Sequence, residues 1–227
     1  QSIAEENNLS ETAFVSIHEN PLSIRWFTPS IEVDLCGHAT LASARILFDY
    51  YSDLVGEEIN FNSKSGVLKI TKVEDGLCLN FPSDLPVTIK TDPLFLEILG
   101  IEPLMLLRGK DDYLAVFENQ KQIKNMQPNF SLLKKLDARG LVISAPGDEV
   151  DFVSRCFYPE AGIEEDPVTG SAHTMLTPYW ASQLSKDELE AHQLSKRGGK
   201  LICRLENDRV YISGSSVIYF EGTISIV

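Results

Sequence analysis

Several side chains capable of proton transfer lie next to two glycines that the sequence places at helix starts. Cys36 and His38 flank Gly37, and Asp166 lies shortly before Gly170. A helix start presents unpaired N–H groups and the positive end of the helix dipole, so it attracts an anion, keeps an imidazole neutral and lowers the pKa of a thiol. These residue types at this spacing indicate proton transfer on a substrate that carries a carboxylate.

Each of these residues also has a structural explanation. A glycine before a helix permits a tight turn, and a cysteine or histidine there is commonly a packed core residue. Asp166 precedes Pro167, which is the usual order of a helix N-cap and a proline in the first helical position. Glu11 lies in the segment Ser10-Glu11-Thr12, whose local pattern is that of a polar turn. The residue types alone therefore leave catalytic and structural roles open.

Other kinds of chemistry have less support in the sequence. The cysteines form no C-x-x-C pair, the histidines form no H-x-x-x-H pattern, and no G-x-G-x-x-G motif occurs. A racemase that uses Cys36 would need a second thiol or acid across a cleft, and residues 167–169 before Gly170 contain no cysteine. Such a racemase remains the alternative within enzymes.

Two segments predict buried helices that would carry these residues. Residues 39–48 and 171–184 are apolar on most sides, and the second segment has Met175, Leu176, Tyr179 and Trp180 at helical spacing. A helix that is apolar all round lies inside a protein. Pro178 lacks the N–H that a helix interior uses, so we expect a kink there.

The chain repeats itself around these two helices. Arg25-Trp26-Phe27-Thr28-Pro29 precedes an acidic stretch and Gly37, and Arg155-Cys156-Phe157-Tyr158-Pro159 precedes an acidic stretch and Gly170. The repeat spans half the chain and predicts an α+β fold of two pseudo-symmetric domains, each a curved sheet around one central helix. We expect both helix N-termini to face one cleft. A seam at residues 81–86 gives domains at residues 1–84 and 85–220, with a final strand near 221–227 that returns to the first domain.

Local patterns predict the remaining elements. Glu74-Asp75-Gly76 indicates a hairpin between two alternating runs. Shorter helices are expected at residues 2–8, 93–100, 132–139 and 187–196. Strands are expected at residues 13–17, 23–27, 67–73, 77–81, 104–107, 114–117, 141–144, 150–157, 200–205, 210–213 and 217–220.

Composition and charge exclude some classes of partner. The chain has 227 residues, of which 33 are acidic and 20 basic, giving a net charge of -13. Binding to nucleic acid or to an anionic membrane depends on clustered Lys and Arg, so we expect neither as a partner. No apolar run approaches the roughly 18 to 20 residues that span a bilayer. The scattered cysteines indicate a reducing, cytoplasmic setting.

Four separate blocks of the sequence resemble one known family. The blocks are Asn8-Leu9-Ser10-Glu11-Thr12-Ala13-Phe14, Arg25-Trp26-Phe27-Thr28-Pro29, Glu32-Val33-Asp34-Leu35-Cys36-Gly37-His38-Ala39-Thr40 and Glu165-Asp166-Pro167-Val168-Thr169-Gly170-Ser171-Ala172-His173. Together they closely resemble the PhzF family of phenazine-biosynthesis isomerase-like proteins, over nearly the whole chain. The resemblance implies the fold of diaminopimelate epimerase, with the active site between two similar domains. Members of the family have N-terminal strands before the Ser-Glu-Thr block, so we expect part of the first domain to be missing from this sequence.

The resemblance also implies site residues, activity and partners. The catalytic residues of the family match Glu11, His38 and Asp166, and its substrate-binding positions match Ser10, Gly37, Gly170 and Ser171. The implied activity is that of an isomerase that moves a proton within a small cyclic or unsaturated carboxylic acid, without a cofactor or metal, as a homodimer. Outside enzymes, the alternative is a catalytically silent member of the family that binds a small carboxylate or serves as a partner subunit.

Overall fold

The computed structural model describes residues 1–223, and most of its regular elements are strands. The helices are Ser2–Asn7 (α1), Gly37–Tyr50 (α2), Pro93–Leu99 (α3), Gln120–Asn125 (α4), Phe130–Leu133 (α5) and Gly170–Leu184 (α6). The strands are Thr12–Ser16 (β1), Leu22–Phe27 (β2), Glu32–Val33 (β3), Glu58–Ser63 (β4), Gly66–Val73 (β5), Gly76–Pro82 (β6), Val87–Ile89 (β7), Met105–Arg108 (β8), Asp112–Val116 (β9), Gly140–Pro146 (β10), Phe152–Tyr158 (β11), Ile163–Asp166 (β12), Glu188–Gln193 (β13), Gly199–Glu206 (β14) and Arg209–Gly214 (β15).

The strand pairings confirm the repeat that the sequence predicted. In the first half, β1 pairs with β2 and β3 also pairs with β2; the chain then passes through α2 to β4, which runs parallel to β2 and continues into β5 and β6. In the second half β10, β11, β12, α6, β13, β14 and β15 follow the same scheme, with β13 parallel to β11. The last strands of the two sets, β6 and β15, pair with each other. The fold is therefore α+β with two pseudo-symmetric halves.

Helix α6 is buried along most of its length, as predicted, whereas α2 buries one face and exposes Ala42, Arg45 and Ile46 on the other. Helix α2 packs against β1 and β6, and α6 packs against β13, β14 and β15. Helix α6 continues through Pro178, which removes the N–H that would bond to the carbonyl of Thr174. The backbone N–H of Asp84 donates to that carbonyl instead, at 3.0 Å. A neighbouring segment thus satisfies the acceptor that the proline leaves free.

Some predicted elements were wrong. Residues 187–196 form the strand β13 rather than a helix, because Leu189, Ala191 and Gln193 alternate as buried residues with more exposed neighbours. This period-two burial outweighs the helix-like charge spacing. Of the helix predicted at residues 132–139, only the first two residues are helical, as the end of α5. Residues 217–220 form no strand, since they pair with no other strand in the described part of the chain.

The division into domains at residues 1–84 and 85–220 stays a prediction. One hydrophobic core runs from Ile24 in the first half to Ile212 in β15, and β15 pairs with β6 across the proposed boundary. Of the expected final strand near 221–227, residues 221–223 are not in a strand, and residues 224–227 lie outside the described residues. None of the helices found in residues 1–223 combines the length and hydropathy needed to cross a membrane.

Candidate active site

The starts of α2 and α6 meet at their first residues, which are both glycines. A Cβ atom on Gly37 would lie 3.1 Å from the Cα of Gly170, and one on Gly170 would lie 3.3 Å from the Cα of Gly37. Side chains at these positions would push the helices apart. The predicted approach of the two helix N-termini is confirmed, and it brings the unpaired N–H groups and positive dipole ends of both helices to one place.

Glu11 and His38 lie at this junction and contact each other. Glu11 directly precedes β1, His38 is the second residue of α2, and Glu11 Oε2 is 3.1 Å from His38 Nε2. The other ring nitrogen, Nδ1, lies 2.9 Å from the carbonyl oxygen of Val168. Because a carbonyl only accepts hydrogen bonds, we assign a proton to Nδ1. Nε2 and the Glu11 carboxyl group then share one further proton between them.

The carboxyl group of Glu11 is poorly satisfied where it lies. Its side chain is 10 % exposed, and Oε2 is buried with no well-aligned hydrogen bond from any described residue. A buried carboxylate oxygen that lacks a well-aligned donor is costly unless a ligand or a proton satisfies it. The oxygen is therefore available to accept a proton at the junction.

The surroundings of His38 favour its charged form. Burial by itself would lower the pKa of the imidazole, but Cys36, Glu11 and Asp166 together raise the pKa of His38 well above its usual value. The carboxylate oxygens of Glu11 and Asp166 lie 3.1 and 3.9 Å from the ring nitrogens. The pKa of His38 thus shifts in the direction opposite to the one expected from the helix dipole, because Cys36 and the two close carboxyl groups favour the charged ring.

Asp166 approaches His38 from the second half of the chain, at the end of β12. Its Oδ2 accepts a hydrogen bond from the hydroxyl of Thr169 at 2.6 Å, while Oδ1 is buried without a partner among residues 1–223. Burial raises the pKa of Asp166 to about 6, with His38 acting in the opposite direction. The N-cap of α6 is Thr169, so the alternative in which Asp166 is only a helix cap is wrong.

Gln193, which the sequence analysis missed, fixes the segment between β12 and α6. This buried side chain accepts a hydrogen bond from the N–H of Thr169 at 2.7 Å and donates to the carbonyl of Asp166, also at 2.7 Å. It reaches the segment because β13 is a strand beside β11, whereas the sequence predicted a helix there. A period-two reading of residues 188–193 was the signal that would have found it.

Cys36 is buried beside the same junction. Its Sγ lies 3.7 Å from His38 Nε2, and burial raises the pKa of the thiol, so it stays protonated near neutral pH. The sequence predicted that the helix start would lower the pKa of this thiol. The pKa is raised instead, because desolvation has the larger effect. Glu11, Cys36 and His38 offer three possible ligand atoms within 4.8 Å of one another and are the residues that could hold a metal ion. A metal ion binds the thiolate form of cysteine, which the burial of Cys36 disfavours.

The remaining predicted residues flank the junction. Ser10 is half-buried and directly precedes Glu11, and Ser171 is the second residue of α6. The hydroxyl of Ser171 accepts a hydrogen bond from Nη2 of Arg139 at 3.2 Å. The sequence analysis did not single out Arg139, since only the strand register shows its place in the repeat.

A cleft of about 1100 Å³ opens beside the two helix starts. From the junction, Gly37, His38, Val168 and Gly170 line it, and its lining also includes the basic residues Lys124, Arg197 and Lys200. Glu11 and Asp166 do not line it. The cleft therefore reaches the junction at His38 and the two glycines.

Comparison with known proteins places this geometry among isomerase-like proteins. The sequence model of the phenazine biosynthesis-like protein family, PhzC-PhzF, matches residues 1–222. An uncharacterized isomerase from Pseudomonas aeruginosa is 46% identical over 226 residues, which cover 100% of this chain and 86% of the relative.

Solved structures share the fold. The crystal structure of a PhzF-family phenazine biosynthesis protein from Enterococcus faecalis has a TM-score of 0.94 and 44% sequence identity, covering 99% of this chain and 86% of that one. A hydroxyproline epimerase from Agrobacterium vitis has a TM-score of 0.61 at 11% identity, over 92% of this chain and 74% of the other. At that identity the likeness concerns the fold alone.

Proposed function

Because the chain belongs to the PhzC-PhzF family of phenazine biosynthesis-like proteins, we propose that it is an isomerase that moves a proton within a small cyclic or unsaturated carboxylic acid without a cofactor. The isomerase class is supported by relatives that are named isomerases. The observation that carries the finer proposal is the buried, unsatisfied Glu11 carboxyl group 3.1 Å from His38 at the joined helix starts.

Glu11 is the proposed acid–base for carbon. In the imidazolium–carboxylate form of the pair, Glu11 Oε2 takes a proton from a carbon of the substrate, and the electrons of that C–H bond move into the adjacent unsaturated system. The same carboxyl group then returns the proton to another carbon, so that the double bond shifts and no external reactant is consumed. Such positioned acid–base groups typically contribute about 10² to 10⁴-fold in rate.

The helix starts and His38 stabilise the negative charge of the substrate. The N–H groups at the starts of α2 and α6 are available to carboxylate oxygens or to an enolate-like intermediate. The imidazolium of His38 adds a positive charge at the same place, and Asp166 holds the ring from the other side at 3.9 Å. Ser10, Gly37, Gly170 and Ser171 are the proposed positions that hold the polar groups of the substrate.

The strand pairings identify which residue of the second half matches Glu11. Phe27 and Phe157 hold the same place in the repeated R-x-F-x-P motif. Phe27 pairs with Thr12 in β1, and Phe157 pairs with Leu141 in β10. The residue before Leu141 therefore matches Glu11.

That residue is Gly140, and it has no room for a side chain. A Cβ atom there would overlap the ring of Tyr158 and the carbonyl oxygen of Phe157. The second half thus lacks a carboxyl group at the position of Glu11. A single acid–base on one side of the substrate favours proton transfer between two carbons on one face over racemisation by two opposed bases.

A racemase that uses Cys36 is the competing enzyme. The buried, protonated thiol of Cys36 lies 3.7 Å from His38, but its surroundings raise its pKa rather than activate it. Cys36→Ala should therefore leave more than about a tenth of the wild-type proton exchange, and N-ethylmaleimide should not abolish turnover. Complete loss of exchange in Cys36→Ala, with the fold intact by circular dichroism, would favour the racemase.

The substrate class is tested by deuterium exchange. The protein is incubated in heavy water with a panel of cyclic amino and hydroxy acids and unsaturated carboxylic acids, and deuterium at carbon is followed by NMR. We expect incorporation with at least one unsaturated carboxylic acid and none with its primary amide. Absence of exchange across the panel, with small carboxylates still bound, would support the catalytically silent alternative.

A further inference from the structure

Charged side chains contact the second residue of each central helix, but they differ in sign. Glu11 lies directly before β1 and contacts His38 at the start of α2. Arg139 lies directly before β10 and donates from Nη2 to the hydroxyl of Ser171 at the start of α6, at 3.2 Å. Arg139 lies one residue before Gly140, the position that matches Glu11. The two halves thus place an acid beside one helix start and a cation beside the other.

The guanidinium of Arg139 is held rigidly. Asp112, which is 3 % exposed, accepts hydrogen bonds from Nε at 3.0 Å and from Nη2. The ring of Tyr158 lies below the guanidinium, 5.1 Å from its central carbon, and the hydroxyl of Tyr158 lies 3.4 Å from Asp112. A planar fork fixed in this way presents its remaining donors at defined positions.

Part of the guanidinium remains open to a ligand. The side chain of Arg139 is 37 % exposed, and Nη1 makes no hydrogen bond to any residue within 1–223. At the same junction, Glu11 Oε2 and Asp166 Oδ1 are buried without aligned partners. A negatively charged group would be repelled by these two carboxyl groups and attracted by Arg139.

We propose that Arg139 determines the orientation of the substrate, by binding its carboxylate together with the hydroxyl of Ser171 and the N–H groups at the start of α6. The carbon that loses its proton then faces Glu11 at the start of α2. That the reacting carbon faces Glu11 rests on the proposed function, whereas the carboxylate site at the start of α6 does not. Arg139 is accordingly a binding residue, and its loss acts on carboxylate affinity before it acts on proton transfer.

Benzoate and its uncharged analogue benzamide are suitable probes, followed by the backbone amide signals of the full chain in NMR titrations. We expect benzoate to shift the signals of Gly170 and Ser171. Arg139→Met should weaken benzoate binding at least about tenfold, the loss expected for a charge-assisted hydrogen bond, and should leave benzamide binding unchanged. Arg139→Lys, which keeps the charge, should recover part of the affinity.

Arg25→Met is the matched control. Arg25 also forms a two-point pair with a carboxylate, that of Glu32, and also lies over an aromatic ring, at 5.0 Å from the centre of Phe27, but it does not contact a helix start. Its replacement should leave benzoate binding unchanged. Circular dichroism of each variant verifies the fold, and Arg139→Lys provides the test if Arg139→Met does not fold.

Three results would overturn the proposal: unchanged benzoate affinity in a folded Arg139 variant, benzoate shifts confined to Gly37 and His38, or no benzoate binding to the wild type. Failure of the proposed function would give a different experimental result. Benzoate binding needs no proton transfer, so a protein that binds benzoate through Arg139 but exchanges no deuterium at carbon would contradict the isomerase and leave the carboxylate site in place.

Discussion

Asp166 links the chemistry of the site to the pH dependence of stability. Its pKa is about 6 in the folded protein because of burial, against about 3.9 in an unfolded chain. Between these values the folded protein keeps a proton that the unfolded chain has lost. The contribution of Asp166 to stability is therefore complete below about pH 4 and decreases as the pH rises through 6, by about 3 kcal/mol in total.

Asp166→Asn should remove this pH dependence. The amide cannot ionise, so the free energy of unfolding, measured with urea from pH 4 to 7, should fall less steeply with pH than in the wild type. Because Asp166 also lies 3.9 Å from His38, the variant should exchange substrate deuterium more slowly. Equal pH profiles for the two proteins would contradict the buried, neutral carboxyl group.

At the scale of elements, the contact between α2 and α6 depends on two glycines. Gly37→Ala would place a methyl group 3.1 Å from Gly170 Cα, and its three nearest neighbours are all backbone atoms of Gly170 rather than a flexible side chain that could move away. We expect a loss of about 1 to 3 kcal/mol in the free energy of unfolding and a marked loss of deuterium exchange.

Gly56→Ala is the control for this change, since a Cβ atom at Gly56 meets nothing within 4 Å. It should keep both the stability and the exchange rate of the wild type. If Gly37→Ala matched Gly56→Ala in both measurements, the close approach of the two helix starts would not be needed for the site.

The elements that were predictable are those whose sequence pattern agrees with their surroundings. Helix α6 is apolar on most sides and lies in the core, α2 packs one apolar face into the core, and β5 and β6 flank the Glu74-Asp75-Gly76 turn. The strand β13 was mispredicted from its charges, because the short polar–apolar alternation of residues 188–193 competes with a helix-like charge spacing and pairing with β11 and β14 decides between them. The secondary structure of this segment was determined by pairing with strands that are distant in the sequence, and not by local propensity.

At the scale of the whole molecule, the repeat predicted that the starts of α2 and α6 would approach each other, as they do. Two glycine-led helices related by the repeat necessarily meet if their halves face each other, and Glu11, His38 and Asp166 follow from the family resemblance. Arg139 and Gln193 were not predicted. Their roles depend on strand register and on side chains from neighbouring strands, which a single sequence does not specify.

Homodimer formation remains a prediction at this scale. The family resemblance implies it, and light scattering of the purified chain at micromolar concentration measures it directly. We expect a mass near twice that of the 25.3 kDa chain. A monomer that still exchanged deuterium would contradict the dimer and leave the proposed chemistry unchanged.

Deuterium exchange at carbon by Glu11→Gln tests the central claim most directly. The amide keeps the size of the side chain but cannot titrate, so exchange should fall by about 10² to 10⁴-fold while benzoate binding persists. Glu19→Gln, an exposed change in the same part of the chain, should behave as the wild type. A folded Glu11→Gln protein that exchanged deuterium at the wild-type rate would remove Glu11 from the mechanism and make Cys36 the next candidate.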